Sequence, residues 1–412
     1  MIVIGGGFGG LAAAHGLRSA AVDVLLIDRG NHHTFQPLLY QVATAGLAAP
    51  SIAAPLRHIL RDQRNATVLL GDARRIDMEG RTVDVDGVSY PYDFLIVATG
   101  STHAYFGHDE WAQYAPGLKT LDDALRIRAR ILTAFERAEA TADPAEQMEW
   151  LTFVIVGAGA TGVELAGTLA EIARHTLKRE FRRIDPAAAN VLLIEAGPRV
   201  LPAFPPSLSA KAHRQLERLG VHVRMGRAVT GLDERGVWVG EERIAARTAL
   251  WAAGVAASPL ATTLGVGLDR AGRVPVTAEL TVAAHPEVFV VGDLTTMPDG
   301  KAPIPAIAPA AKQMGHYAAE AIRARISGRG IGPFHYRHFG SLATIGRMAA
   351  VVDFGRIRLS GVLAWWIWLT AHIYFLIGFR NRLVVLIDWA EAYWSYRRGA
   401  RIIIPVGDSA QR

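Results

Sequence analysis

The sequence predicts an α/β fold that carries two Rossmann-like units and ends in a region of different character. Three observations support this. An apolar run, Ile2–Ile4, enters Gly5-x-Gly7-x-x-Gly10, a helix-compatible stretch follows with Ala14 four residues past the last glycine, and a second strand closes on Asp28. The same order of parts returns as Leu151–Val156, Gly157-x-Gly159-x-x-Gly162, Ala166 and a strand ending on Glu195. Finally, Gly361–Phe379 is uncharged over 19 residues and dense in aromatic side chains.

A lone glycine turn between strand and helix is common, so each unit gains weight from its other parts. The glycines permit a tight turn and a close approach of backbone to a pyrophosphate, and the helix N-terminus supplies unpaired N–H donors. The acid at the tip of the second strand accepts hydrogen bonds from ribose hydroxyls. Val191-Leu192-Leu193-Ile194-Glu195 nearly repeats Val24-Leu25-Leu26-Ile27-Asp28, each after its own turn, so the chain contains two dinucleotide-binding units.

At 412 residues, half of them hydrophobic, more than one core is expected. The net charge of +6 suits anionic nucleotides or anionic lipid. Nucleic acid is not expected as a partner, because the nucleotide-binding portions lack clustered basic residues beside stacking aromatics. The chain has no cysteine, which excludes disulfides, iron–sulfur ligation and thiolate catalysis. The N-terminus enters its first strand without a basic leader, so a cytoplasmic active site is expected.

Taken in order, Asn31-His32-His33-Thr34-Phe35 follows the first unit. Its histidines are expected to be polar loop residues against a cofactor, since no carboxylate stands at metal-ligand spacing. Thr67–Leu70 and Arg81–Val85 read as short strands, and Phe94–Val97 as a buried strand ending in the small turn Ala98-Thr99-Gly100. Ala124–Ala140 has helical spacing, and Asp143-Pro144 is expected to end it. Glu164, two residues past Gly162, falls in the expected first helical turn, either at the positive end of the dipole or against a nicotinamide. Glu195 repels a 2′-phosphate and so favours NADH over NADPH, although Arg199 could meet such a phosphate. Phe289–Val291 is a strand ending in Gly292-Asp293, where the aspartate is either a cap or, as favoured here, a ligand of a flavin ribityl hydroxyl. Gln313–Arg325 reads as a helix.

In the tail, five of the nine tryptophans lie between positions 365 and 394, and Arg380, Arg382, Arg397, Arg398 and Arg401 follow the uncharged stretch. A single spanning helix is possible on length, but it would carry these arginines to the far side, against the positive-inside bias. A segment lying in the headgroup region fits the aromatic and basic pattern better, and burial in a dimer interface is the soluble alternative.

Two dinucleotides in one chain imply an electron relay. Flavin and nicotinamide form the economical pair, because hydride passes directly between them. With no thiol to continue the relay, the membrane-seeking tail points to a lipid-soluble quinone.

At this point the chain resembles the type II NADH dehydrogenases, the single-subunit NADH:quinone oxidoreductases. The resemblance runs nearly end to end, on GGGFGGLAAA (5–14), NHHTFQPLLYQVATAGL (31–47), FLIVATG (94–100), VIVGAGATGVELAG (154–167), VLLIEAGPRVLP (191–202), VFVVGDL (288–294), PAIAPAAKQMG (305–315) and GSLATIGRMAAV (340–351). It implies a non-covalent FAD on the first unit and NADH on the second, with ubiquinone or menaquinone reduced and no protons pumped. It also implies a monotopic C-terminal membrane anchor, usually in a homodimer, on the cytoplasmic side of the inner membrane.

The implied division is 1–115 and 269–328 for the FAD domain, 116–268 for an inserted NADH domain, and 329–412 for the anchor. Carried over by position, Gly5, Gly7, Phe8, Gly9, Gly10, Asp28, Ala73, Thr99, Gly100, Asp293 and Ala311 are FAD contacts. Gly157, Gly159, Ala160, Thr161, Gly162, Glu164, Glu195 and Gly254 are NADH contacts, with Glu164 also counted as catalytic. Gln313 matches a glutamine near flavin and quinone. Two departures stand out: Pro309 replaces a second glutamine, and Lys312 between them could stabilise negative charge on reduced flavin or quinol. A soluble NAD(P)H-dependent reductase that passes electrons to a small redox protein is the alternative reading.

Overall fold

A computed structural model describes residues 1–297, 304–395 and 398–403. Contacts group the chain into two units, one made of Met1–Thr34, Ala53–Thr102 and Val255–Phe339, the other of Phe35–Ile52, His103–Gly254 and the chain from Gly340 onward.

The first unit is organised by a sheet whose strand order is Thr281–Val282, His285–Val290, Leu95–Val97, Ile2–Ile4, Val24–Asp28, Ala66–Leu70. All but the Thr281–Val282 edge run parallel, with Ile2 paired to Leu25 on one side and to Leu95 on the other. Val3, Leu26 and Leu95–Val97 are wholly buried, as expected of parallel strands covered on both faces. On one face, helix Phe8–Gly16 crosses helix Ala308–Ile326 at backbone distance. A Cβ on Gly315 would lie 2.1 Å from the Gly9 carbonyl oxygen, and one on Gly16 would lie 2.7 Å from Ala319 Cβ. The run of glycine and alanine in GGLAAA is what allows this approach.

The second unit has a parallel sheet in the order Val221–Met225, Asn190–Glu195, Thr152–Val156, Thr248–Trp251. Helix Leu121–Ala140 starts at a capping box formed by Thr120 and Asp123. Asp143-Pro144 does not merely end this helix. The Asp143 side chain accepts from Ala145 N–H at 3.1 Å and opens a further helix, Pro144–Leu151, with the proline where a missing N–H costs nothing.

Three antiparallel strands, Ser341–Gly346, Ala349–Asp353 and Arg358–Gly361, lie against helix Ala160–Glu171. A Cβ on Gly167 would fall 1.7 Å from the Ile345 carbonyl oxygen. The uncharged tail is not one helix. Val362–Phe375 ends at extended Leu376, Gly378 turns the chain at φ +83°, and Phe379–Ser395 follows. Among the described residues no helix is long and apolar enough to cross a membrane. Arg397 lies outside the described residues.

Candidate cofactor site

In the first unit, three glycines have three different reasons. Gly5 sits at φ +100°, where a Cβ would also lie 2.5 Å from the Ala98 carbonyl oxygen. A Cβ on Gly10 would lie 1.9 Å from the Gly5 carbonyl oxygen, so the helix can only seat on the turn without one. Gly7 caps helix Phe8–Gly16 with no side-chain bond, and a Cβ there meets nothing within 4 Å. Open space in front of a helix N-terminus fits a pyrophosphate.

Asp28 braces this turn. Its Oδ2 accepts from Gly6 N–H at 2.5 Å and its Oδ1 from Gly30 N–H at 2.7 Å. His33 Nδ1 donates to the Gly6 carbonyl at 2.9 Å, the ring meets Phe8 edge-on at 4.9 Å, and burial pushes the imidazole down to about 4. Ala311 comes within van der Waals reach of positions 9 and 292. Asp293 is the middle residue of the short helical turn Gly292–Leu294, and its Oδ2 accepts from Ser101 Oγ at 2.8 Å. Thr99 backs onto Gly5 and Gly100 turns the chain at φ +66°, while Ala73 pairs with Val85 in the adjacent hairpin sheet.

Lys312 and Gln313 follow Pro309, which occupies the first turn of its helix and needs no donor there. The Lys312 ammonium stands 5.3 Å from the Phe8 ring centre, and burial lowers its pKa. The Gln313 amide is engaged at both ends by the Arg337 backbone, donating to its carbonyl and accepting from its N–H, each at 2.9 Å.

The second unit repeats the brace atom for atom. Gly157 has φ +100°, Gly162 would place a Cβ 1.8 Å from the Gly157 carbonyl oxygen, and Gly159 is open. Glu195 Oε2 accepts from Ala158 N–H at 2.6 Å and Oε1 from Gly197 N–H at 2.7 Å. Ala160 and Thr161 begin helix Ala160–Glu171. The Arg199 guanidinium donates to the Pro202 carbonyl of its own loop at 2.8 Å. Gly254 lies under Phe106, whose ring would be 2.6 Å from an added Cβ.

Glu164 departs from expectation. It is the fifth residue of its helix, past the first turn, and its carboxyl accepts from the Thr344 backbone rather than serving the dipole. Part of its surface stays open, yet burial pushes the acid up to about 8, so it holds a proton near neutrality.

Sequence reasoning missed what lies beside it. The buried Tyr40 hydroxyl accepts from Gln41 Nε2–H at 2.8 Å, and Gln41 Oε1 accepts from Trp389 Nε1–H at 2.7 Å. Trp389 packs on Trp368, and His372 stacks on Trp368 at 4.2 Å. Arg398 pairs with Glu171 at 3.4 Å and reaches the Thr44 carbonyl. The signal available was the unbroken PLLYQVATAGL run, too apolar for an ordinary loop.

Residues 1–315 match the family model for pyridine nucleotide-disulphide oxidoreductases, and residues 338–397 match that for the NDH2 C-terminal domain. The chain is 46% identical to the type II NADH:quinone oxidoreductase NdhA of Mycobacterium tuberculosis, over 98% of this chain and 89% of the relative. It belongs to the type II NADH:quinone oxidoreductase family. A second member from the same organism, Ndh, is also 46% identical over 97% of this chain and 89% of its own. In fold, the family member NDH2 of Plasmodium falciparum, solved in complex with NADH, superposes with a TM-score of 0.89 at 20% identity, covering 98% of this chain and 99% of the other. The sulfide:quinone oxidoreductase of Aquifex aeolicus superposes with a TM-score of 0.73 at 18% identity, over 92% and 91% of the two chains.

Proposed function

We propose that this protein is a respiratory NADH:quinone oxidoreductase that keeps FAD on its first glycine turn, binds NADH on its second, and reduces a membrane quinone without pumping protons. The observation that carries the reading is the duplicated turn with its acid brace, within a chain similar over its whole length to type II enzymes. FAD, when bound, supplies the two-electron acceptor that joins the hydride donor to the quinone. The overall balance is NADH + H⁺ + quinone giving NAD⁺ + quinol.

The chain's own residues bind and orient. Gly7, Phe8, Gly9 and Gly10 offer backbone donors to the FAD pyrophosphate, Gly5 turns the backbone toward it with its own N–H bonded to the Ile27 carbonyl, and Asp28 retains lone pairs for a ribose. Thr99, Gly100, Ala73, Asp293 and Ala311 line the remainder. Gly159, Ala160, Thr161 and Gly162 do the same for NADH after the turn at Gly157, whose own N–H is bonded to the Ile194 carbonyl, with Glu195 excluding a 2′-phosphate and Gly254 admitting the nicotinamide end. Lys312 lends positive charge, and Glu164 keeps a proton at its carboxyl. Gln313 contacts quinone only if its amide leaves Arg337.

The C-terminal helices lie in the membrane interface. Trp366, Tyr374, Phe375 and Phe379 expose from 51% to 81% of their surface there, beside Arg380 and Arg382. A homodimer on the cytoplasmic face of the inner membrane, acting on ubiquinone or menaquinone, completes the reading. The test is NADH-driven bleaching of the purified yellow protein, followed by return of colour on adding quinone. A colour that returns only with a small redox protein, from a protein that does not pellet with vesicles, supports the soluble reductase instead.

A further inference from the structure

The chain leaves helix Ala160–Glu171 through a single wide turn, Ile172–Thr176, and then reads Lys178-Arg179-Glu180-Phe181-Arg182-Arg183. Lys178, Arg179, Arg182 and Arg183 are exposed, and among the described residues none of the four forms an ion pair. Elsewhere in the same unit arginines find carboxylates. Arg224 meets Glu242 at 2.7 Å, Arg243 meets Asp233 at 3.5 Å, and Arg247 meets Glu149 at 2.9 Å. In the loop, four like charges repel one another, and no carboxylate at ion-pair distance offsets them.

The two residues between them are engaged within the fold. Glu180 pairs with Arg401, and Phe181 packs on Phe135 with ring centres 6.2 Å apart. The backbone is fixed as well. Glu139, on helix Leu121–Ala140, accepts from the N–H groups of Arg182 at 2.9 Å, Arg183 at 2.9 Å and Ile184 at 3.1 Å. That carboxylate also attracts Arg183, but its lone pairs go to the backbone. Arg179 turns the chain at φ +70°, and its carbonyl accepts from the Arg182 guanidinium at 3.2 Å. An acid, an aromatic ring and an ion pair thus hold the loop in shape, while its cationic side chains face solvent.

The complement of such a loop is an anionic surface. Nucleic acid is disfavoured, because the one ring between Lys178 and Arg183 is already packed and offers no base a place to stack. A lipid surface is favoured by continuity. Arg401, which Glu180 holds, comes shortly after helix Phe379–Ser395. We propose that residues 178–183 form a headgroup-binding surface for anionic phospholipid, which adds selectivity for lipid charge to the apolar hold of the tail helices. This rests on the membrane attachment proposed above.

Each cation near an anionic leaflet strengthens binding about fivefold at low salt, and salt screens the effect. Full-length holoprotein is therefore sedimented with vesicles of phosphatidylcholine, alone or mixed with phosphatidylglycerol, at low and high salt, and the ratio of the two affinities is read. In K178Q/R179Q/R182Q/R183Q the preference for phosphatidylglycerol is expected to fall about tenfold or more at low salt. Binding to phosphatidylcholine, Tm and NADH-driven ferricyanide reduction should stay unchanged. R179K/R182K/R183K, which keeps every charge, should keep the preference. An undiminished preference in the glutamine variant would overturn the proposal. So would an equal loss in the lysine variant, which would assign the effect to loop shape and not to charge. A glutamine variant that loses only its hold on duplex DNA, with vesicle binding intact, would assign the loop to nucleic acid and overturn it too. Wild-type protein that binds neither vesicle would sink the membrane attachment itself, and this proposal with it.

Discussion

The two glycine turns differ less in what they hold in place than in what they leave over. Both set an acid's two oxygens on two backbone N–H groups, both need a glycine at φ +100°, and both forbid a Cβ at the last glycine. This shared part is what any pyrophosphate demands. Beyond it, the first turn adds Phe8, buried His33 and half-buried Lys312, where the second has Ala160 and Val200. On the proposed assignment of FAD to the first turn and NADH to the second, these neighbours would be what makes one scaffold retentive and the other exchanging.

The comparison breaks most violently at the last glycines. Gly10→Ala should abolish flavin retention and lower stability by about 1–3 kcal/mol, because the new methyl falls on a carbonyl that cannot move. Gly162→Ala should leave the protein yellow while NADH no longer bleaches it. Flavin content and anaerobic bleaching read both outcomes, and equal effects on the two cofactors would erase the distinction.

Next in size is Glu195→Ala, which should lower the ratio of kcat/KM for NADH over NADPH about tenfold or more, measured with a short-chain quinone. Arg199 donates to the Pro202 carbonyl of its own loop, and on the proposed assignment the acid sets this preference. An unchanged ratio would remove Glu195 from the ribose.

Replacing exposed Trp366 and Phe379 together by aspartate should reduce pelleting with anionic vesicles and long-chain quinone turnover several-fold, leaving ferricyanide reduction intact. The smallest effect concerns Glu164. Its folded pKa lies above its unfolded value, so its contribution to stability is complete below about pH 4.5 and is lost as pH rises through about 8. Glu164→Gln should therefore raise Tm relative to wild type by about 2–4 °C at pH 9 and change it little at pH 5.

Both turns were legible because glycine spacing and a terminal acid are local signals, confined to some 30 residues. Long-range partners were not. Nothing near Glu164 announces Thr344, and Gln41 finds Trp389 across 348 positions. Gln313, matched by resemblance to a glutamine near flavin and quinone, gives no sign in the sequence that the Arg337 backbone occupies its amide. Asp143-Pro144 misled for a different reason: the pair that stops one helix also starts another, and only the downstream apolar pattern decides. In the tail, composition indicated a membrane preference, but the break at Leu376–Gly378 came from backbone geometry.

The most direct test is an anaerobic titration of the purified holoprotein with NADH, read at the flavin absorption band. One FAD per chain, bleached fully by one equivalent of NADH and still attached after gel filtration, is the predicted result. A protein that carries no flavin when supplied with it, or whose flavin is indifferent to NADH, would contradict a resident cofactor on one turn and an exchanging one on the other.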